Sequence, residues 1–245
     1  MEDVFQRLYL YLLSAEAALQ NGSLPQAESL LKAAITLVQE VPLEADFDGS
    51  GRAVSTGAAL ASYLRSFCGL LIVMPGHPEH GPFYLTKGLI KVVKEYPWPE
   101  GSTGRANVFL GMISLFAGMN GKLPYHIAKL ESNDLFYLGD EDYKEELQAI
   151  INKLVEEVLE ELSKLKEMGA GSQQVANLQC RVALDFFNHT TAHSELNSKS
   201  AKLAVNLFQM SKKSSDSAIK AYRTSSVDYL ERAGRPGLSD LASEL

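Results

Sequence analysis

Between Val4 and Gln20 the apolar residues Phe5, Leu8, Leu12, Ala15 and Leu19 recur at alternating steps of three and four. That spacing places all five on one stripe of an α-helix. The same period returns along the chain, and no stretch sustains the period-two alternation that a half-buried strand needs. The chain therefore reads as all-α. Asn21-Gly22 ends the first helix, because glycine tolerates the left-handed geometry of a helix C-terminus. Ser23 then reads as the cap of a second helix, with Gln26 to complete a capping box and Pro25 in the first turn. Ala27, Leu30, Leu31, Ala34, Ile35 and Val38 form its stripe. A turn this short forces the two helices antiparallel.

Residues 42–56 read as a polar, glycine-containing loop. A third helix carries Leu60, Leu64, Phe67, Cys68 and Leu71 inward, and a fourth runs from about Phe83 to Lys94. The fifth, from about Gly104 to Met119, is apolar on most sides, as a helix covered on more than one face must be. Residues 122–139 read as irregular and polar-aromatic. The sixth helix, Glu141 to Met168, has a regular stripe, Leu147, Ile150, Ile151, Leu154, Val158, Leu162 and Leu165. Its wet face is expected to hold Glu156, Glu157, Glu160, Glu161 and Lys164. Three more helices are expected over Gln173 to Asn188, Ser198 to Met210 and Ser215 to Ala233. Consecutive pairs with wide apolar faces favour an α-solenoid of HEAT-like antiparallel helical pairs over a closed bundle. The first pair resembles a tetratricopeptide-type hairpin, but no fixed-period repeat follows it.

Composition narrows the function classes. With 46% hydrophobic residues, a chain of 245 residues can bury a substantial core. A formal net charge of −7 argues against nucleic acid or an anionic membrane as main partners. The two cysteines, Cys68 and Cys180, supply neither a disulfide framework nor a Cys-x-x-Cys motif. The acidic start Met1-Glu2-Asp3 lacks the basic region of a signal peptide, and the longest apolar run, Val108 to Met119, is too short to span a bilayer.

Candidate chemistry concentrates in Val73-Met74-Pro75-Gly76-His77-Pro78-Glu79-His80-Gly81-Pro82. His77-Pro78-Glu79 matches the first half of a zinc-deaminase signature, in which histidine binds zinc and glutamate moves protons, but the Pro-Cys-x-x-Cys half is missing. His77, Glu79 and His80 also lack the helical His-Glu-x-x-His spacing, and the prolines oppose a helix. A metal-dependent enzyme built on these three residues is one reading. A rigid joint whose His and Glu cap neighbouring helix ends is the other, with Pro82 just inside the fourth helix. Gly101-Ser102-Thr103-Gly104 has neither the spacing nor the lysine of a phosphate loop. His189 and His193 stand at i,i+4 near a helix end, where histidine suits the dipole. No nucleophile, base and oxyanion hole assemble.

Five blocks occur in order: Leu8-Tyr9-Leu10-Tyr11, Leu24 to Val41, Leu71 to Gly81, Tyr96-Pro97-Trp98, and Tyr125-His126-Ile127 with Glu131-Ser132-Asn133-Asp134. Together, over roughly Leu8 to Leu207, they resemble the C-terminal portion of the vacuolar protein sorting 35-like family, the large subunits of the Retriever complex. The Pro-x-His-Pro-Glu-His-Gly block is the most specific of them, and this chain carries Gly76 at the x position, where the family is expected to have an acidic residue. The resemblance implies an α-solenoid domain, placed over residues 1–233, with no catalysis and no cofactor, and the Gly/Pro/Ser-containing stretch 234–245 reads as a flexible tail. The resemblance also implies a scaffold that embraces a small phosphoesterase-fold subunit, vacuolar protein sorting-associated protein 29. Such a scaffold works with other Retriever and Commander subunits in returning endosomal cargo to the cell surface, and is cytoplasmic and endosome-associated through those partners. Exposed residues in two loops, Gly76, His77, Glu79 and His80 with Asn133, Asp134 and Tyr137, are the expected protein-binding set. A tetratricopeptide-type peptide adaptor is the alternative binding module; it calls for a basic or asparagine-lined groove recurring in later pairs.

Overall fold

The computed structural model describes residues 4–47, 51–120, 126–137, 139–168, 172–191 and 199–232. Among these, ten α-helices make up almost all of the regular structure, in an all-α, solenoid-like fold. The expected tail over 234–245 lies outside the described residues, as do Tyr125 and His193.

Two compact units divide the chain. The first, residues 1–108 and 118–150, opens with α1 (Val4–Gln20) and α2 (Leu24–Leu37), the latter tightening into a 3-10 turn over Val38–Glu40. The α1 stripe is buried as its spacing requires, and Ala15, Ala27 and Ala34 let the two helices approach closely. Gly22, at φ +74°, takes the left-handed conformation that only glycine adopts without cost. The Ser23 amide donates to the Ala18 carbonyl at 2.8 Å and the Gly22 amide to Leu19 at 2.9 Å, which is the Schellman pattern. The expected capping box is not formed: the Ser23 side chain makes no cap bond. Ser23 is already engaged as the last residue of the preceding stop, and proline in the first turn removes a donor that would need a cap.

The loop expected over 42–56 contains a two-rung antiparallel ladder, β1 (Glu44–Ala45) against β2 (Val54–Ser55). Thr56, fully buried, closes it by donating its hydroxyl to the Pro42 carbonyl and its amide to Leu43. Helices α3 (Gly57–Val73) and α4 (Tyr84–Glu95) follow, with α4 buried through Leu85, Leu89, Ile90, Val92 and Val93. The single tryptophan, Trp98, donates Nε1–H to the Val93 carbonyl at 2.8 Å. One short helix, α6 (Asn133–Tyr137), stands in the stretch that reads as mostly irregular.

Two helices contribute to both units: α5 (Gly104–Gly118) and α7 (Glu141–Met168). Val108, Phe109, Leu110, Met112, Ile113 and Phe116 of α5 are all buried, as an apolar-all-round helix should be. On α7 the Glu160–Lys164 pair forms at 2.7 Å. Glu157, however, is buried and does not belong to the wet face.

The second unit, residues 109–117 and 151–245, adds α8 (Gln173–Thr191), α9 (Lys199–Ser211) and α10 (Ser217–Arg232). Phe187 of α8 packs on Phe208 of α9 with ring centroids 4.6 Å apart. Asn177 near the start of α8 is bonded to Ser214 and Asp216 beyond the end of α9, so α8 and α9 are antiparallel. Tyr222 of α10 donates to Asp185 and accepts from Asn188. Burial, and then that bond to Asp185, push its phenol up to about 12.

Candidate partner-binding surface

The Pro/Gly stretch folds as a closed ring rather than a helix cap. The His77 amide donates to the Gly81 carbonyl at 3.2 Å and the Gly81 amide to His77 at 2.9 Å, so residues 77–81 are tied at both ends. Gly81 sits at φ +84°, which completes the turn. Inside the ring, His77 Nδ1 accepts the amides of Glu79 at 3.1 Å and His80 at 3.2 Å. An imidazole nitrogen that accepts two such donors has its lone pair engaged and is unavailable to a metal through that atom. The His77 and His80 rings stack 4.3 Å apart, and Tyr84 abuts both.

The structure therefore alters the expected roles. His77 caps its own loop and not a neighbouring helix. Helix α4 begins at Tyr84 with Phe83 as its cap residue and no side-chain cap bond, so Pro82 lies outside the helix. His77, Glu79 and His80 do not converge as ligands, and among the described residues no three His, Cys, Asp or Glu side chains come together to hold a metal ion.

The other half of the expected set meets this loop through one residue. Asn133 accepts the Gly76 amide on Oδ1 at 2.7 Å and donates Nδ2–H to the Met74 carbonyl at 3.3 Å. Its carboxamide thus pairs with the loop backbone as a neighbouring strand would. Gly76 is required there, because a Cβ would lie 2.6 Å from Pro82 Cα. Asp134 is likewise turned inward, accepting from Ser132 Oγ at 2.5 Å and lying 3.0 Å from His126 Nε2. Asn133 and Asp134 were expected to be exposed; at 1% and 5% exposure they are buried anchors instead. They fix α6 so that Leu135 and Phe136 project, 54% and 59% exposed. Tyr137 is half-buried, stacked on Tyr143, which stacks in turn on Phe83. Burial, with the negative charge of Asp134 adding to it, raises Tyr143 to about 12.

Sequence reasoning passed over Glu28. Its Oε1 accepts from Tyr84 Oη at 3.0 Å, lies 2.6 Å from Lys32 Nζ and 3.9 Å from His77 Nε2. The Glu-to-Lys spacing of four was visible as a helix-surface pair. Its approach to a loop about fifty residues on was not.

Hairpin helices, a loop held by its own hydrogen bonds and a projecting apolar turn belong to an all-α, solenoid-like protein. The chain belongs to the VPS35L C-terminal domain family, whose model it matches over residues 1–244. It is similar to the VPS35 endosomal protein sorting factor-like proteins of Dictyostelium discoideum (42% identical over 215 residues), Danio rerio (35% over 215) and Homo sapiens (34% over 212). Those matches cover 87%, 87% and 86% of this chain but 21%, 22% and 21% of the relatives, so the chain spans about a fifth of their length. Among the described residues no helix is long and apolar enough to cross a membrane.

Proposed function

We propose that the chain acts as a non-catalytic scaffold in endosomal protein sorting. In this reading it binds the small phosphoesterase-fold subunit, vacuolar protein sorting-associated protein 29, and with other Retriever and Commander subunits supports recycling of cargo from endosomes to the plasma membrane. It works from the cytoplasm and reaches the endosome through its partners. Membership of the VPS35L C-terminal domain family over residues 1–244 carries the reading. The name of the relatives, endosomal protein sorting factor-like, supports it further. Within the surface, His77, Glu79, His80 and Tyr137 are the contact residues of the reading, while Gly76, Asn133 and Asp134 hold them in place.

Co-expression of the chain with the phosphoesterase-fold subunit, followed by affinity capture and gel filtration, tests this. A stoichiometric complex is expected. Folded chain that captures none of the subunit overturns the reading.

A further inference from the structure

Helix α1 is apolar on two sides. Phe5, Leu8, Leu12, Ala15 and Leu19 are buried against the rest of the first unit. The opposite strip, Gln6, Leu10, Leu13 and Ala17, falls at steps of four, three and four and is exposed throughout. Leu10 and Leu13 are 55% and 59% exposed. Beside the strip, Tyr9 meets Tyr63 of α3 edge-on and stays 43% exposed. Phe47, also exposed, rests on Phe5 at the start of the helix and extends the patch. The helix carries only two charges, Arg7 and Glu16. Helical spacing sets them about a quarter-turn to either side of the strip.

A helix side that faces water reads differently. On α10 the exposed residues Lys220, Thr224 and Asp228 recur at steps of four. In stacked helical pairs each pair touches only its neighbours, and a pair that ends the stack needs a polar outer side. The outer side of α1 is of the covered kind. What covers it follows from the relatives. The matching family is that of a C-terminal domain, and the match takes about a fifth of each relative. The other four fifths or so of a relative therefore run chiefly ahead of the position that matches α1.

We propose that Leu10, Leu13 and Ala17, with Tyr9 at their side, form the seat of a helical hairpin from the segment that runs ahead of this domain in its longer relatives. Leu10 and Leu13 supply the ridge that enters a groove of the incoming helix, and Ala17 allows close approach one turn further on. A strip without charge selects an apolar stripe on that helix. The proposal is independent of the partner named above.

The probe is a polypeptide of about 45 residues, one helical-repeat length, taken from immediately ahead of the matched region of the Dictyostelium discoideum relative. Titrated into the full chain, it is expected to form an equimolar complex and to shift the methyls of Leu10, Leu13 and Ala17 saturably. Leu13→Lys should weaken the complex at least about 10-fold, because a buried leucine is lost and a charge is buried in its place. Position 13 is exposed in the free chain, so this variant should keep the urea midpoint of the parent. Glu16→Gln, to the side of the strip, should bind the probe as the parent does. Absence of saturable shifts at these methyls, or equal binding by Leu13→Lys, overturns the proposal. Self-association of the chain that Leu13→Lys abolishes and the probe does not displace overturns it too, since the occupant is then a second copy.

Discussion

Replacing Asn133 with alanine removes both bonds that tie α6 to the loop after α3. The Gly76 amide loses an acceptor at 2.7 Å and the Met74 carbonyl a donor at 3.3 Å. Each bond contributes about 1 kcal/mol net, and a buried backbone group left without a partner costs about 1–3 kcal/mol. The Gly76 amide is only partly buried, so water recovers some of that loss. The Met74 site is buried and recovers less. The sum is a destabilisation of about 2–4 kcal/mol in the first unit. Trp98 is the single tryptophan and belongs to that unit, so its fluorescence in urea reports the change directly. The midpoint should fall with the slope unchanged. Asn133→Asp keeps the acceptor for Gly76 but sets a buried carboxylate against the Met74 carbonyl. It should be at least as damaging at neutral pH. Amide exchange at Gly76 should accelerate in both variants. A loss below about 0.5 kcal/mol, within the range of ordinary surface substitutions, or unchanged exchange at Gly76, refutes the reasoning.

Other consequences follow from the same geometry. Gly76→Ala forces a Cβ to within 2.6 Å of Pro82 Cα and should cost about 1–3 kcal/mol by the same fluorescence assay. Gly104→Ala places a Cβ 2.8 Å from the Trp98 ring, so the native emission spectrum should shift even where stability is little changed. Burial raises the Cys68 thiol to about 12, so it stays protonated at mildly alkaline pH and should react with a thiol reagent only after denaturation. Tyr143 and Tyr222 are both raised from 10.0 to about 12, so the unfolded chain releases their protons first. Stability should therefore be intact below pH about 10 and fall as pH rises towards 12. Tyr222→Phe should flatten that decline, measured by urea midpoints across the range.

The long elements are legible because periodicity accumulates over several turns. Residues 4–20 and 141–168 show this, and both helices end at the residues the spacing indicates. The short elements are not. A two-residue ladder at Glu44–Ala45 and one turn at Asn133–Tyr137 have no room for a period to declare itself. Local rules also yield where one residue is wanted twice. Ser23 is a good cap by type, yet its backbone already completes the stop of α1. Glu157 lies on the acidic side of α7 by helical wheel and is buried all the same, since the wheel does not show which neighbours cover it. At the candidate surface, Gly76 and Asn133 each stood out by residue type. Nothing in the sequence joined them, and an asparagine side chain standing in for a strand is a tertiary event.

The Asn133 bridge also bears on how the chain is made. The two partners are 57 residues apart, so the loop leaves the ribosome well before the side chain that completes it. At elongation rates of about 5–20 residues per second, Met74 and Gly76 wait about 3–11 s for their partner. During that interval the nascent chain shows an unfinished proline-rich loop beside a newly formed α3. Chaperones and quality-control factors that read unsatisfied backbone would meet it there. In a variant lacking Asn133 the waiting state becomes permanent.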